Sequence, residues 1–236
     1  MKEKSSKNYL IDIIIGIVAL FIYFTFQEVE VSILNFLHID VETMSMTFKV
    51  IYLIICEIFE MLILIALFYK KLKVNIEDIK KNHLTYFRKY FKYWLLILMI
   101  MMGSNLIIML FTQNQTSANE QAVRDLLIKS PIYAYFSGVI FAPVVEELIF
   151  RRGLRNIFKN DTLFILISGL IFGGLHVITG YSSLTDLLYL IPYCTPGIVF
   201  AYILVKTDNV LVPMSIHFIH NGILIALQMF AYLFLS

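Results

Sequence analysis

The chain has 236 residues, 59% of them hydrophobic and 15% charged, against about 45–50% and about 25% in soluble globular domains. That composition excludes a water-soluble domain. Lys and Arg total 19 against 17 Asp and Glu, a net charge of +2, so no basic excess points to nucleic acid as a partner.

In chain order, the first eight residues carry Lys2, Lys4 and Lys7 ahead of an apolar run. This resembles a signal peptide, but the run is of spanning length and no small-residue cleavage site follows, so it reads as an uncleaved first span. Six more candidate spans follow, giving 9–26, 48–69, 91–111, 132–158, 163–178, 184–205 and 210–233. The longest polar loop is expected at 70–90. Residues 112–130 are polar as well, and their second half suits a short surface helix before Pro131 opens the fourth span. No internal repeat, low-complexity tract or soluble domain is evident. The expected fold is therefore all-α, a polytopic transmembrane bundle of about seven spans, with residues 1–236 forming a single membrane domain.

Sixteen Lys and Arg fall before the first span, in 70–92, in 151–159 and at Lys206, against three on the other side (Lys49, Arg124 and Lys129). Cytoplasmic loops retain positive charge, which places the amino terminus in the cytoplasm and, after seven spans, the carboxy terminus outside. The sixth span is the weak point. Pro192 and the run Thr195-Pro196-Gly197 could break it into a re-entrant element and make the number of spans even.

An ionisable side chain at bilayer depth costs roughly 2.5–3.5 kcal/mol on insertion scales, so each one needs a reason. Asp12 lies within a turn of its helix end and can reach the interface. Glu57 and Glu60, three apart, share a helix face; they serve either helix-to-helix hydrogen bonding or the support of an active site. Glu146 and Glu147 are adjacent and point about 100° apart, whereas Glu147 and Arg151, at spacing four, can pair. One carboxylate would then be neutralised structurally and the other left free to act as a base; the alternative is an interfacial charge cluster at a helix end. His176 follows two glycines that permit close backbone approach. It is either a catalytic group or a hydrogen-bonded packing residue. His217 and Asn221 share a face, with His220 on a neighbouring one.

Depth joins these groups. At 1.5 Å of rise per residue, and with the fourth helix running on to Phe158, Glu146 lies about 18 Å from the cytoplasmic end, His176 about 21 Å, His217 about 12 Å and Asn221 about 18 Å. Had that helix stopped at Phe150, Glu146 would lie only about 6 Å in. Convergence thus requires a long fourth helix with Arg151 buried beside its glutamate. A carboxylate, imidazoles and an amide in one low-dielectric layer make a hydrolytic set: glutamate and histidine can deprotonate water, and N–H groups can stabilise an oxyanion. Ser215 and Cys194 are the nearest nucleophile candidates, and neither has a clear base partner. Cys56 and Cys194 both sit in apolar stretches, where a thiol behaves as a small hydrophobe. His and Glu are also zinc ligands, but HExxH is absent and the spacing gives no metal signature.

Three motifs, Glu146-Glu147 to Arg151 (EExxxR), Phe172 to His176 (FxxxH) and His217 to Asn221 (HxxxN), occur in that order. In them the chain resembles the CPBP family of intramembrane proteases, also called Abi or CAAX-type proteases, over residues 114–221. The resemblance implies that Glu146 and His176 activate the attacking water, that His217 and Asn221 form the oxyanion hole, and that Glu147 and Arg151 order the site, with no metal and no other cofactor. It implies a membrane-embedded peptide or small protein as substrate and the lipid bilayer as surroundings, while the richness in Ile, Lys, Asn and Tyr points to a multi-pass protein of a bacterial plasma membrane. Two other classes compete with this reading. One is a non-catalytic regulator or bacteriocin immunity protein that holds a partner helix in the same cavity. The other is a proton-coupled transporter, which the lack of paired half-helices in two related halves opposes. Asn114-Gln115-Thr116 matches a glycosylation sequon and carries no meaning in a bacterial setting.

Overall fold

The computed structural model describes residues 6–112 and 116–235. Asn114 and Gln115 of the sequon, and the lysines at 2 and 4, lie outside them. Eight helices account for the described architecture: α1 (Ser6–Phe36), α2 (Met46–Leu67), α3 (Tyr69–Thr112), α4 (Ala118–Lys129), α5 (Pro131–Ile157), α6 (Asp161–Ile178), α7 (Leu184–Thr207) and α8 (Leu211–Leu235). All except α4 are long and apolar enough to cross a membrane, which gives the seven spans expected from hydropathy. The described residues contain no strand.

Two expected boundaries are corrected. The first helix continues past Phe26 to Phe36, absorbing Glu28 and Glu30 from what read as an outer loop. The expected loop at 70–90 is helical, the first half of a continuous 44-residue α3. No Pro or Gly interrupts Tyr69 to Met102, and the buried residues Leu72, Asn75, Tyr90, Trp94 and Ile97 recur at helical spacing. The charged half is clasped to the α7–α8 turn. Asn75 Nδ2 donates to the Asp208 carbonyl at 3.2 Å, and Asn209 Nδ2 donates to Asp78 at 2.7 Å. Val210 N–H donates to Asn75 Oδ1 at 3.1 Å, and Lys71 pairs with Asp208 at 2.7 Å. Asp208 takes the left-handed conformation (φ 47°) that ends α7.

The surface helix is present as α4, its amino end capped by Ser117, whose hydroxyl accepts from Glu120 N–H. Pro131 opens α5. The sixth span is unbroken: α7 runs through Pro192 and Pro196 as one helix, with a tighter 3₁₀ opening over Leu184–Tyr189.

In lipid, helices associate by close packing of small residues rather than by apolar burial. Gly169 and Gly173 on α6 face α7 at such range that a Cβ on Gly173 would lie 2.6 Å from the Cys194 backbone nitrogen, and one on Gly197 would lie 2.9 Å from Gly169 Cα. Gly174, its neighbour, meets only Ile178 of its own helix, at 4.0 Å. Helix α5 forms the centre. Its Val145, Leu148, Ile149 and Phe150 are buried against α1, α6 and α7.

Candidate active site

Helix α5 carries the first motif on an irregular backbone. Residues Phe136–Phe141 and Glu147–Gly153 are wide, i→i+5 bonded turns on either side of Pro143. Proline has no N–H to donate and so interrupts the α-helical ladder, and insertions of this kind cluster at functional sites. The carbonyl of Phe150, inside the second wide turn, accepts from Ser168 Oγ of α6 at 2.6 Å, which meets its hydrogen-bonding need across the interface.

The two adjacent glutamates diverge as their spacing requires. Glu147 is fully buried and lies 3.2 Å from Arg151 Nε, also fully buried, and it accepts from His217 Nδ1 at 3.0 Å. The guanidinium lies over Phe172 at 4.4 Å and near Phe200 at 5.5 Å, so two aromatic faces hold a cation far from water. Glu146 turns the other way. Its side chain is 15% exposed and lies 3.7 Å from His217 Nε2.

Phe172 and His176 sit one turn apart on α6, with ring centroids 4.6 Å apart. His176 Nδ1 lies 2.8 Å from the Phe172 carbonyl. A carbonyl only accepts, so Nδ1 bears the proton and Nε2 of the neutral ring keeps its lone pair. Tyr193 stacks on His176 at 5.2 Å and 22°, and its hydroxyl is bonded to Ser117 at 2.6 Å. On α8, His217 packs against Phe172 and Phe200, and Asn221 Nδ2 donates to the Gly138 carbonyl of α5 at 2.8 Å.

Glu146, His176, His217 and Asn221 line one cavity of about 490 Å³. Glu147 and Arg151 lie behind its wall. The long fourth helix that convergence required is present, with Arg151 buried beside Glu147. His220 reaches the same cavity. Ser215 does not; its hydroxyl bonds the Leu211 carbonyl, and it borders a separate apolar groove with Trp94. Cys194 is packed on Gly173. Asp12 is partly buried. Glu57 and Glu60 are both buried, and Glu57 accepts from Ser137 and Tyr133 of α5. Among the described residues no group of three His, Cys, Asp or Glu is placed to hold a metal ion.

Residues outside the motifs complete the surroundings: Ser137, Gly138, Tyr193 and Phe200. Tyr193, Gly197 and Phe200 recur at spacings of four and three, one face of α7, a signal that the prolines mask. Nothing in the sequence marks Ser137 and Gly138 as neighbours of Asn221, because that contact spans 83 residues.

A family model described as type II CAAX prenyl endopeptidase, Rce1-like, matches residues 128–223. The chain is 30% identical over 122 residues to YdiL of Bacillus subtilis, named as an inferred membrane peptidase; the alignment covers 50% of this chain and 46% of that protein. It is 27% identical over 157 residues to the membrane-embedded CAAX protease MroQ of Staphylococcus aureus, 60% of each chain. The matched region contains all three motifs through which the chain resembles the CPBP family. It is also 26% identical over 136 residues to YvdC of Lactococcus lactis, covering 56% of this chain and 50% of that one. The chain thus spans about half the length of the curated relatives it matches. No solved structure matches it significantly. Seven apolar helices and relatives in three bacteria make it a multi-pass bacterial membrane protein.

Proposed function

We propose that this protein is an intramembrane endopeptidase of the CPBP type that cleaves a membrane-associated peptide or small protein with an activated water. One observation carries the reading: three motifs from three helices, spread over 76 positions of sequence, deliver Glu146, His176, His217 and Asn221 to one cavity. Glu146 takes a proton from water, with the Nε2 lone pair of His176 as the second base. The hydroxide oxygen attacks the scissile carbonyl, the tetrahedral oxyanion forms, the C–N bond breaks, and the proton passes to the leaving amine. Asn221 keeps one amide N–H beyond its bond to Gly138, which suits it to the oxyanion. His217 already directs Nδ1 to Glu147, so donating from Nε2 as well requires the doubly protonated ring, and the two flanking carboxylates are the partners an imidazolium needs. Glu147 and Arg151 fix that ring. The reaction so written uses no metal, and cleavage by purified protein is expected to survive chelators.

The amino terminus is proposed to be cytoplasmic, from the sixteen-to-three distribution of Lys and Arg. A reporter fused at Ser236 is expected to register outside.

The decisive experiment compares the membrane peptides of cells carrying the wild-type chain, Glu146→Gln or His176→Ala. A cut present in wild type should vanish in both variants at equal protein abundance, because each loses a proton-handling group worth roughly 100- to 10,000-fold in rate. Full biological function in the double variant would overturn the catalytic reading in favour of a protein that holds a partner helix.

A further inference from the structure

Glu57 touches the helix that bears Glu146 without belonging to any of the three motifs. It lies on α2, outside the family match, and is buried. Its Oε1 accepts from Ser137 Oγ at 2.7 Å and from Tyr133 Oη at 2.9 Å. Both hydroxyls belong to α5, in and just before the wide turn Phe136–Phe141. A wide turn gives up regular α-helical bonds, so it persists where its surroundings hold it. Here α2 holds it from one side through two hydroxyls. From the other side α8 presses in, so that a Cβ on Gly138 would lie 2.6 Å from Ile225 Cδ1. Gly138 directly follows Ser137, and its carbonyl receives the Asn221 amide.

We infer that Glu57 is a positioning residue for Asn221: by clamping Ser137 and Tyr133 it fixes the Gly138 carbonyl, and that carbonyl aims the Asn221 amide at the cavity. The inference rests on the endopeptidase reading and extends its machinery to a helix that the motifs do not reach. A carboxylate bonded by two hydroxyls is a strong, directional acceptor, suited to holding a backbone segment in place. Glu57 acts through other groups and has no contact with the reacting atoms.

The test is a double-mutant cycle, read as the rate of cutting of those membrane peptides whose cleavage Glu146→Gln abolishes, at equal protein abundance. Glu57→Ala is expected to slow cleavage about 10-fold or more, with the roughly 100- to 1000-fold cost of losing one oxyanion donor as its ceiling. In an Asn221→Ala background the same change should alter the rate by less than about twofold, because the pathway through Asn221 is already gone. Glu57→Gln, whose amide oxygen still accepts both hydroxyls, should recover most of the rate, a result that a purely electrostatic role would not give. Should Glu57→Ala fail to accumulate, Ser137→Ala takes its place in the cycle with the same expected non-additivity. Losses that multiply independently of Asn221, full speed in Glu57→Ala, or no recovery in Glu57→Gln would overturn the inference while the Glu146-dependent cut remains. If no peptide depends on Glu146, the endopeptidase reading fails, and this inference fails with it.

Discussion

Two pairs of carboxylates lie within this bundle, and their buried members are compensated in opposite ways. On α5, Glu147 meets the Arg151 guanidinium at 3.2 Å and accepts from His217 Nδ1 at 3.0 Å. On α2, Glu57 meets neutral hydroxyls, and Glu60 Oε1 has no hydrogen-bond partner. The difference follows from helical geometry. Adjacent residues diverge by about 100°, so Glu146 and Glu147 divide between a cavity and a packed interior, whereas residues three apart stay on one face and share one environment. A buried carboxylate facing a cation can remain ionised, and its removal or orphaning is costly. A buried carboxylate facing hydroxyls gains less, and can be replaced more cheaply.

The largest effect expected from this contrast is that of Arg151→Ala. The guanidinium is fully buried, and its loss leaves Glu147 charged and unpaired, a defect of about 3–5 kcal/mol for a broken buried pair. Protein abundance and melting temperature in detergent should both fall, along with cleavage. Replacing Glu147 and Arg151 together by apolar residues of similar volume should restore the fold but not the cleavage, since His217 would lose its anchor. A single variant Arg151→Ala as stable as wild type would erase the distinction between the two pairs.

Phe172→Leu should rank next. The ring lies 4.4 Å beneath the Arg151 guanidinium and 4.6 Å from His176. Leu keeps the apolar contact but removes the aromatic face, at about 2 kcal/mol for a desolvated cation–π contact. Melting in detergent measures the stability loss, and a slower Glu146-dependent cut measures the effect on His176. An unchanged melting temperature would mean that the guanidinium is held by its glutamate alone.

How much of this was legible beforehand depends on the range of each interaction. The seven spans, the break at Pro131 and the α4 helix follow from local hydropathy and capping, which need only a dozen residues of context. The Glu147–Arg151 pair is likewise local. The charged half of α3 read as a loop because its polarity outweighed its helical spacing; what anchors it is a set of bonds to Asp208, Asn209 and Val210 more than 130 residues away. The site behaves in the same way. Motif spacing identifies Glu146, His176, His217 and Asn221, and depth brings them to one layer, but the contacts that aim them are tertiary: Asn221 to Gly138, His217 to Glu147, Tyr193 to His176. Pro143 is a local mark of the irregular α5 that the sequence reading leaves unused.

The smallest effect is expected at Glu60, and it probes the other side of the contrast. Glu60 is buried with Oε1 unpartnered, and an unmet buried acceptor costs about 1–3 kcal/mol. If the residue only occupies space, Glu60→Leu, of similar size and needing no partner, should leave stability within about 1 kcal/mol of wild type or raise it. The Glu146-dependent cut should then keep its rate. Glu57→Leu, by contrast, strips two hydroxyls of their acceptor and should cost about 1–3 kcal/mol. Melting of the two variants side by side in detergent separates them. Equal losses at both positions would show that burial alone governs this pair, and a slowed cut in Glu60→Leu at unchanged stability would mean that α2 acts on the site through Glu60 as well as through Glu57.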